Sequence, residues 1–212
     1  MDNLTRDQGI INAKKFWGLM QLYSNYNYLF TMDSESLFLK EADLMMVCKE
    51  FYYRKILWSM PLIPRFKKIV RACVVHFDDD EVGKSLLNEY ESVGLFLLQP
   101  FIYSSEHLND FFIKTRMRDR LDKLTFWDFD HVIYMLYLLA YQDFQCQDFH
   151  KNSDILQLKT KYFTYLIESK LSDTVATQYP AAFMSMNIDR DALQRKKWEE
   201  DWKNDPHNYD DE

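Results

Sequence analysis

One stretch, residues 64–94, most constrains what this chain can fold into, because it has the pattern of two helices joined by an acidic turn. Pro64 suits the first turn of a helix, where its missing N–H costs nothing. Gly94 is well placed as a C-terminal cap. Between them, apolar residues recur at the helical spacing of three to four on both sides of the turn: Phe66, Ile69, Val70, Cys73 and Val74, then Val82, Leu86, Leu87, Tyr90 and Val93.

The rest of the 212-residue chain has few of the residues that tight turns require. The whole chain, residues 64–94 included, contains only 4 glycines and 5 prolines, whereas a β-rich fold of this size needs many Gly, Pro and Asn-Gly turns. Helical patterns recur instead, over residues 7–30, 37–59, 105–123, 126–140 and 154–171. We therefore predict an all-α fold, an irregular α-solenoid-like stack of helix hairpins with an extended C-terminal helix and tail.

Two of these segments have further signals. The segment over residues 37–59 ends at Pro61 and Pro64, because a residue before proline avoids the α region. The segment over residues 126–140 is apolar almost all round, which predicts a central buried helix. Thr125 and Asp128 have the spacing of a capping box at its start.

The character of the sequence changes after residue 179. We therefore divide the chain into a helical, repeat-like domain over residues 1–179 and a charged C-terminal helix and tail over residues 180–212. In the charged helix predicted over residues 189–203, two tryptophans lie one turn apart on one face. Docking onto a partner explains them better than exposure to solvent. The predicted partner-binding residues are Leu193, Trp198, Trp202 and Tyr209.

The charge balance argues against nucleic acid as a partner. The net charge is −7, whereas a nucleic-acid footprint needs a concentrated basic surface. The densest basic group is interleaved with Asp119 and Asp122, so we interpret it as a solvated helical face: Lys114, Arg116, Arg118, Arg120 and Lys123. Aromatic residues reach 17 %, which suits either a bulky core or a protein interface.

Two acidic groups are candidates for metal binding, and each has a structural interpretation. The acids at Asp78–Glu81 fit helix capping better than a calcium loop, which needs alternating acids and a glycine at fixed offsets. Asp128, Asp130 and His131 have a workable ligand spacing, but a third ligand and a basis for choosing it are missing. A capping aspartate and a hydrogen-bonded histidine are therefore favoured.

The three cysteines, Cys48, Cys73 and Cys146, are too few and too scattered for a disulfide framework or a zinc site. Cys146 with His150 is a candidate nucleophile pair, but it lacks a glycine elbow and an assigned oxyanion donor. We therefore predict no catalytic residue, no bound metal and no cofactor. An enzyme built on these residues or on Asp128–His131 is the remaining alternative.

No apolar run reaches the roughly 18–20 residues that crossing a bilayer requires. We expect no transmembrane segment, and association with a membrane only through a partner. The first residues, M-D-N-L-T-R-D-Q, lack the apolar region of a secretory signal and are not a typical arginine-rich mitochondrial presequence. Import into mitochondria would therefore need an internal or uncleaved signal.

The helix-pair stretch resembles known proteins. I-V-R-A-C at Ile69–Cys73, the acidic turn, the pair Leu86 and Leu87, and Gly94 are similar to a pentatricopeptide-type helix pair. More narrowly, M-P-L-I-P-R-F-K-K-I-V-R-A-C resembles the middle of the cytochrome c oxidase subunit 5A family, a small superhelix of such pairs. The resemblance covers about residues 37–94. It implies a non-catalytic subunit docked on the matrix side of a mitochondrial respiratory complex.

These observations favour a non-catalytic accessory subunit whose partners are other protein subunits of a larger assembly. The alternative is a soluble cytosolic or nuclear helical adaptor that binds a partner peptide or protein in a groove. Pentatricopeptide proteins bind RNA, but the acidic charge argues against nucleic acid here. The two hypotheses differ in location: mitochondrial for the first, cytoplasmic or nuclear for the second.

Overall fold

A computed structural model of the chain describes residues 9–31, 36–38, 43–60, 64–95, 101–148 and 183–185. The chain divides into two compact units, Met1–Asp33 with Ala42–Asp154, and Ser34–Glu41 with Ile155–Glu212. The domain boundary predicted after residue 179 and the helices predicted over residues 154–171 and 189–203 lie outside the described residues.

The described elements include six α-helices, two short 3₁₀ turns and seven strands. In chain order they are α1 (Ile10–Leu22), β1 (Tyr28–Thr31), β2 (Ser36–Phe38), α2 (Leu44–Arg54), β3 (Ile56–Met60), α3 (Pro64–Val74), α4 (Asp80–Tyr90), β4 (Gly94–Leu95), β5 (Phe101–Ser104), α5 (Ser105–Lys114), the 3₁₀ turns Met117–Asp119 and Leu121–Lys123, α6 (Asp130–Tyr141), β6 (Gln145–Asp148) and β7 (Phe183–Ser185).

Helix α6 is the buried centre of the first unit. Every residue from Asp130 to Leu138 is buried, and α1, α3, α4 and α5 all pack against this helix. The prediction of a central helix is therefore confirmed. The helix begins at Asp130 rather than at Phe126, because residues 126–129 form an irregular turn before it.

The predicted helix pair is confirmed as α3 and α4, which pack against each other. Helix α3 begins at Pro64, as expected. The expected cap at Gly94 is wrong, because α4 ends at Tyr90 and Glu91 follows it with helical backbone angles. Gly94 lies instead in β4, opposite Met60 of β3.

The described fold is mostly helical, as predicted. It also contains small sheets, so it is not all-α. In the first unit, β3 lies between β4, which is antiparallel to it, and β6, which is parallel. The helix predicted over residues 37–59 is shorter than expected, since Lys55 adopts left-handed backbone angles after α2. The chain then continues as β3. The solenoid-like stack is not confirmed.

Strand β5 pairs with β1 on one side and meets a tyrosine on the other. The Tyr52 hydroxyl accepts a hydrogen bond from the Ser104 backbone N–H at 2.7 Å and donates one to the Ile102 carbonyl at 3.0 Å. The Tyr134 hydroxyl lies 2.9 Å from that of Tyr52. One side chain from α2 therefore satisfies two buried backbone groups of β5.

The second unit is described through one antiparallel strand pair, β2 with β7, in which Ser36 lies opposite Ser185. No helix in the described part of the chain has the length and apolar character needed to cross a membrane.

Candidate functional site

The partner-binding residues predicted from the sequence, Leu193, Trp198, Trp202 and Tyr209, lie outside the described residues. Their role therefore stays a prediction. The other candidate groups lie in the first unit, where their neighbours can be described.

The acidic turn between α3 and α4 is used for helix capping and ion pairing. The Asp79 carboxylate accepts hydrogen bonds from the backbone N–H groups of Glu81 at 2.9 Å and Val82 at 3.3 Å, which is the geometry of an N-cap. Asp78 pairs with Arg116 at 3.2 Å. These bonds confirm the capping interpretation.

An open cleft of about 410 Å³ lies beside this turn, lined by Asp78, Asp79, Lys114 and Tyr141. The Lys114 ammonium lies 5.0 Å from the centre of the Tyr141 ring, so a cation of the protein itself already occupies the aromatic face. Within the described residues, no group of three or more His, Cys, Asp or Glu side chains is arranged to hold a metal ion.

The basic group over residues 114–123 is not a helical face, because α5 ends at Lys114 and two 3₁₀ turns follow. Its arginines bind groups of the protein itself. Arg116 pairs with Asp78, Arg118 donates to the Tyr23 hydroxyl at 3.0 Å, and Arg120 donates to the Val75 carbonyl at 2.8 Å. These guanidinium groups hold the segment against α1 and α3.

A group of polar side chains from several elements surrounds the start of α6, and each is at least nine-tenths buried. We call it the buried polar cluster, and its members are Cys73, His76, Tyr103, Asp128, Asp130 and His131. The structure therefore brings Asp128, Asp130 and His131 close to residues of α3 and β5 that the sequence did not connect with them.

Asp128 joins the end of α3 to the turn before α6. One carboxylate oxygen lies 2.7 Å from His76 Nε2. The other accepts hydrogen bonds from the Thr125 backbone N–H and from its hydroxyl at 2.7 Å. The predicted interaction between Thr125 and Asp128 is therefore confirmed, although it holds a turn that precedes the helix rather than the first helical turn.

Asp130 is fully buried at the first position of α6 and has three polar neighbours. Tyr103 donates to it at 2.5 Å, the Lys15 ammonium lies at 3.4 Å, and His131 Nδ1 lies at 3.6 Å. Burial alone would raise the pKa of the Asp130 carboxyl. The interactions with His131, Lys15 and Tyr103 outweigh burial, so its pKa lies well below the usual range and the carboxylate stays ionised.

The cysteine thiols are poorly suited to nucleophilic chemistry. Burial raises the pKa of the Cys73 thiol well above its usual value, and the nearby Asp128 carboxylate raises it further. Burial also raises the pKa of Cys146 in β6. A thiol with a raised pKa holds little of the reactive thiolate. His150, the residue proposed to pair with Cys146, lies outside the described residues.

The bonds of the buried polar cluster link elements of the first unit to one another. His76 to Asp128 links α3 to the turn before α6, Tyr103 to Asp130 links β5 to α6, and Lys15 links α1 to the same carboxylate. Sequence reasoning missed His76. Its position three residues after Cys73 continues the buried stripe of α3, and this is the signal that could have revealed it.

Two exposed helix surfaces combine apolar with polar side chains. The α1 outer face consists of Ile11, Lys14, Trp17, Gly18, Gln21 and Leu22, and the α2 outer face consists of Met46, Lys49, Glu50 and Tyr53. Met46 and Tyr53 are 60 % and 88 % exposed. These faces contain large apolar groups that packing within the described first unit does not cover.

No family model, curated protein or solved structure matches the chain. Function therefore has to be inferred from the buried polar cluster and the exposed helix faces.

Proposed function

We propose that this protein is a non-catalytic accessory subunit of a larger assembly and that it binds other protein subunits. The α2 outer face carries the proposal, because it exposes Met46 and Tyr53 two turns apart on one side of a helix. Tyrosine and methionine are enriched in interface cores, and methionine adapts its shape to irregular partner surfaces.

The contacts of the buried polar cluster support a non-catalytic role. A general acid or base has to reach a proton on a substrate, whereas His76 and Asp128 are 4 % and 2 % exposed and bound to each other. The bonds of Asp130 are likewise made within the protein. A purified protein that turned over a substrate through these residues would contradict this part of the proposal.

The host assembly we propose is a mitochondrial respiratory complex. This part rests on the resemblance of residues 37–94 to the cytochrome c oxidase subunit 5A family, and on the pair of tryptophans, Trp198 and Trp202, as a second docking segment. The competing proposal is an adaptor that is located in the cytosol or nucleus. Fractionation of cells separates them, since we expect the protein in the mitochondrial fraction, bound to the matrix side of the inner membrane.

Native purification of the tagged full chain, followed by mass spectrometry, tests the binding function. We expect one or more partner proteins in fixed stoichiometry. The double variants Met46→Ser/Tyr53→Ser and Trp198→Ala/Trp202→Ala should each lose these partners while keeping the far-UV circular dichroism of the wild type. Each buried anchor lost should weaken binding about tenfold, or roughly 1.4 kcal/mol.

Val75→Ser is the matched control, because Val75 is 64 % exposed but lies on another surface, just after α3. It should retain the partners. Co-purification that both double variants leave unchanged would contradict the proposed surfaces. The absence of any stoichiometric partner would contradict the accessory-subunit function itself.

A further inference from the structure

The α1 outer face has a regular arrangement that the described fold does not use. Lys14, Gly18 and Gln21 form a central row, since residues three and four apart are neighbours on a helix. No carboxylate occurs between Ile10 and Leu22. Lys14 and Gln21 are exposed, so the row has an amide at one end, a single ammonium at the other and a glycine between them.

Apolar side chains flank this row on both sides. Trp17 lies on one side and is 48 % exposed. Ile11 and Leu22 lie on the other side, at 49 % and 44 % exposure. The face therefore has an aromatic edge, a polar row that is narrow at its centre, and an aliphatic edge.

Gly18 has no packing reason to be glycine within the described part of the chain. A Cβ added there would meet no atom of the described residues within 4 Å. Glycine is nevertheless the least favourable residue after proline in the interior of a helix. Its use at the centre of an exposed face is explained if another backbone approaches closely at this point.

We propose that the α1 outer face binds a second copy of this chain, with the two α1 helices antiparallel about a two-fold axis that passes between Trp17 and Gly18. In such an isologous interface the same residues are used on both subunits, so the face has to complement itself. A rotation of this kind also places equivalent edges of the two helices side by side.

The spacing of the residues satisfies this requirement. Lys14 comes level with Gln21 of the second copy, so the two lysines are not opposed. The two Gly18 residues lie at the crossing point, where the backbones can approach. With a rise of about 1.5 Å per residue, the two Trp17 residues lie about 1.5 Å apart along the axis, and Ile11 lies about 3 Å along the axis from Leu22 of the second copy.

The chemistry of the face also favours a second copy over a partner of different character. Antiparallel pairing places aromatic against aromatic, aliphatic against aliphatic and ammonium against amide. One exposed lysine offers little attraction to a strongly acidic partner. This self-association uses α1 and is independent of the partner binding that we propose for α2 and the C-terminal segment.

Sedimentation velocity on the full chain over a range of concentrations tests the proposal. We expect a reversible shift from the 25.7 kDa chain to a species of twice that mass. Gly18→Leu should raise the dimer dissociation constant at least about tenfold, because its side chain fills the crossing point. Leucine favours helix more than glycine does, so at concentrations where both proteins are monomeric the variant should melt no lower than the wild type.

The residue opposite Lys14 tests the register. Gln21→Glu creates two Lys–Glu pairs across the axis and should tighten the dimer about threefold, whereas Gln21→Lys creates two like-charge pairs and should weaken it similarly. Gln21 lies in the last turn of α1, where glutamate destabilises the helix and lysine stabilises it. Each substitution should therefore change the stability of the monomer in the opposite direction to its effect on the dimer, so the two effects can be separated. Asn88→Glu and Asn88→Lys, on the exposed side of α4, are the controls and should leave the dimer unchanged.

A single species of 25.7 kDa at all concentrations up to about 1 mM, where even weak dimers assemble, would overturn the proposal. A dimer that Gly18→Leu does not weaken would place self-association elsewhere. Equal effects of Gln21→Glu and Gln21→Lys would refute the antiparallel register.

Discussion

Asp130 shows how a single buried charge joins several elements. Its carboxylate receives the Tyr103 hydroxyl from β5 and the Lys15 ammonium from α1, and it lies at the positive end of α6. Removing one partner of such a buried group is costly, because solvent replaces the lost interaction only in part. Asp130 therefore orients the side chains around it in addition to forming hydrogen bonds and ion pairs with them.

Replacing Asp130 with asparagine should destabilise the protein by about 3–5 kcal/mol at pH 7, since it leaves Lys15 and Tyr103 without their anion. The pKa of Asp130 is lower in the folded than in the unfolded state. Its stabilising effect is therefore complete above the ordinary aspartate value of 3.8 and is lost as pH falls towards the folded pKa. Urea denaturation at pH 7 and pH 3 measures this difference.

The control for Asp130→Asn is Asp78→Asn. Asp78 is half-exposed and pairs with Arg116, so its loss should cost only about 0–1 kcal/mol. The difference in the free energy of unfolding between the wild type and Asp130→Asn should be smaller at pH 3 than at pH 7. A gap of the same size at both pH values would show that the lost stability does not come from the ionised carboxylate.

At the scale of elements, local sequence patterns predict individual helices, but they do not predict which distant segments pair. The helices α3, α4 and α6 follow from apolar residues three and four apart, which is a local signal. Strand β3 lies where the sequence predicts a helix, because Leu57 and Trp58 fit either period over so short a run. Its partner β6 begins at Gln145, and nothing in either segment alone specifies the other.

The same distinction applies to the candidate site. The bond between Thr125 and Asp128 spans three residues and was predicted from their spacing. The bond between His76 and Asp128 spans 52 residues and depends on how α3 packs against α6. A sequence can show that position 76 is buried, but the residue that meets it there is decided by tertiary packing.

The N-cap of α4 gives a prediction at this scale. Replacing Asp79 with alanine leaves the backbone N–H groups of Glu81 and Val82 without their acceptor, and it should cost about 1 kcal/mol of stability. Asp79→Asn and Asp79→Ser should restore most of this loss. Ser85→Ala is the control, because Ser85 lies on the exposed side of α4, away from its N-terminus. Urea denaturation that shows equal losses at both positions would argue against the cap.

At the scale of the whole molecule, the core is unusually rich in tyrosine. Tyr134 and Tyr137 lie on α6, and Tyr103 of β5 and Tyr52 of α2 lie close to Tyr134. Burial is the largest cause that raises the pKa of each hydroxyl. A raised folded pKa means that these groups stabilise the protein below the ordinary tyrosine value of 10.0 and that this stability is lost as pH rises above it.

An alkaline titration followed at 295 nm should therefore show a late, cooperative step in which these tyrosines ionise as the protein unfolds. The step should coincide with loss of the far-UV circular dichroism signal. In concentrated guanidinium chloride the 14 tyrosines should ionise together near the ordinary tyrosine pKa of about 10. Gradual ionisation of every tyrosine while the helical signal persists would contradict the buried arrangement.

The Tyr52 hydroxyl has a consequence for how the protein can recruit other chains. It occupies the hydrogen-bonding groups of Ile102 and Ser104 that an incoming strand would need. Recognition by strand addition depends on such an open edge, so this edge of β5 is closed to extended peptides. The Tyr52 side chain thus protects this edge against pairing with a strand of another chain, and recruitment through β5 would require its displacement.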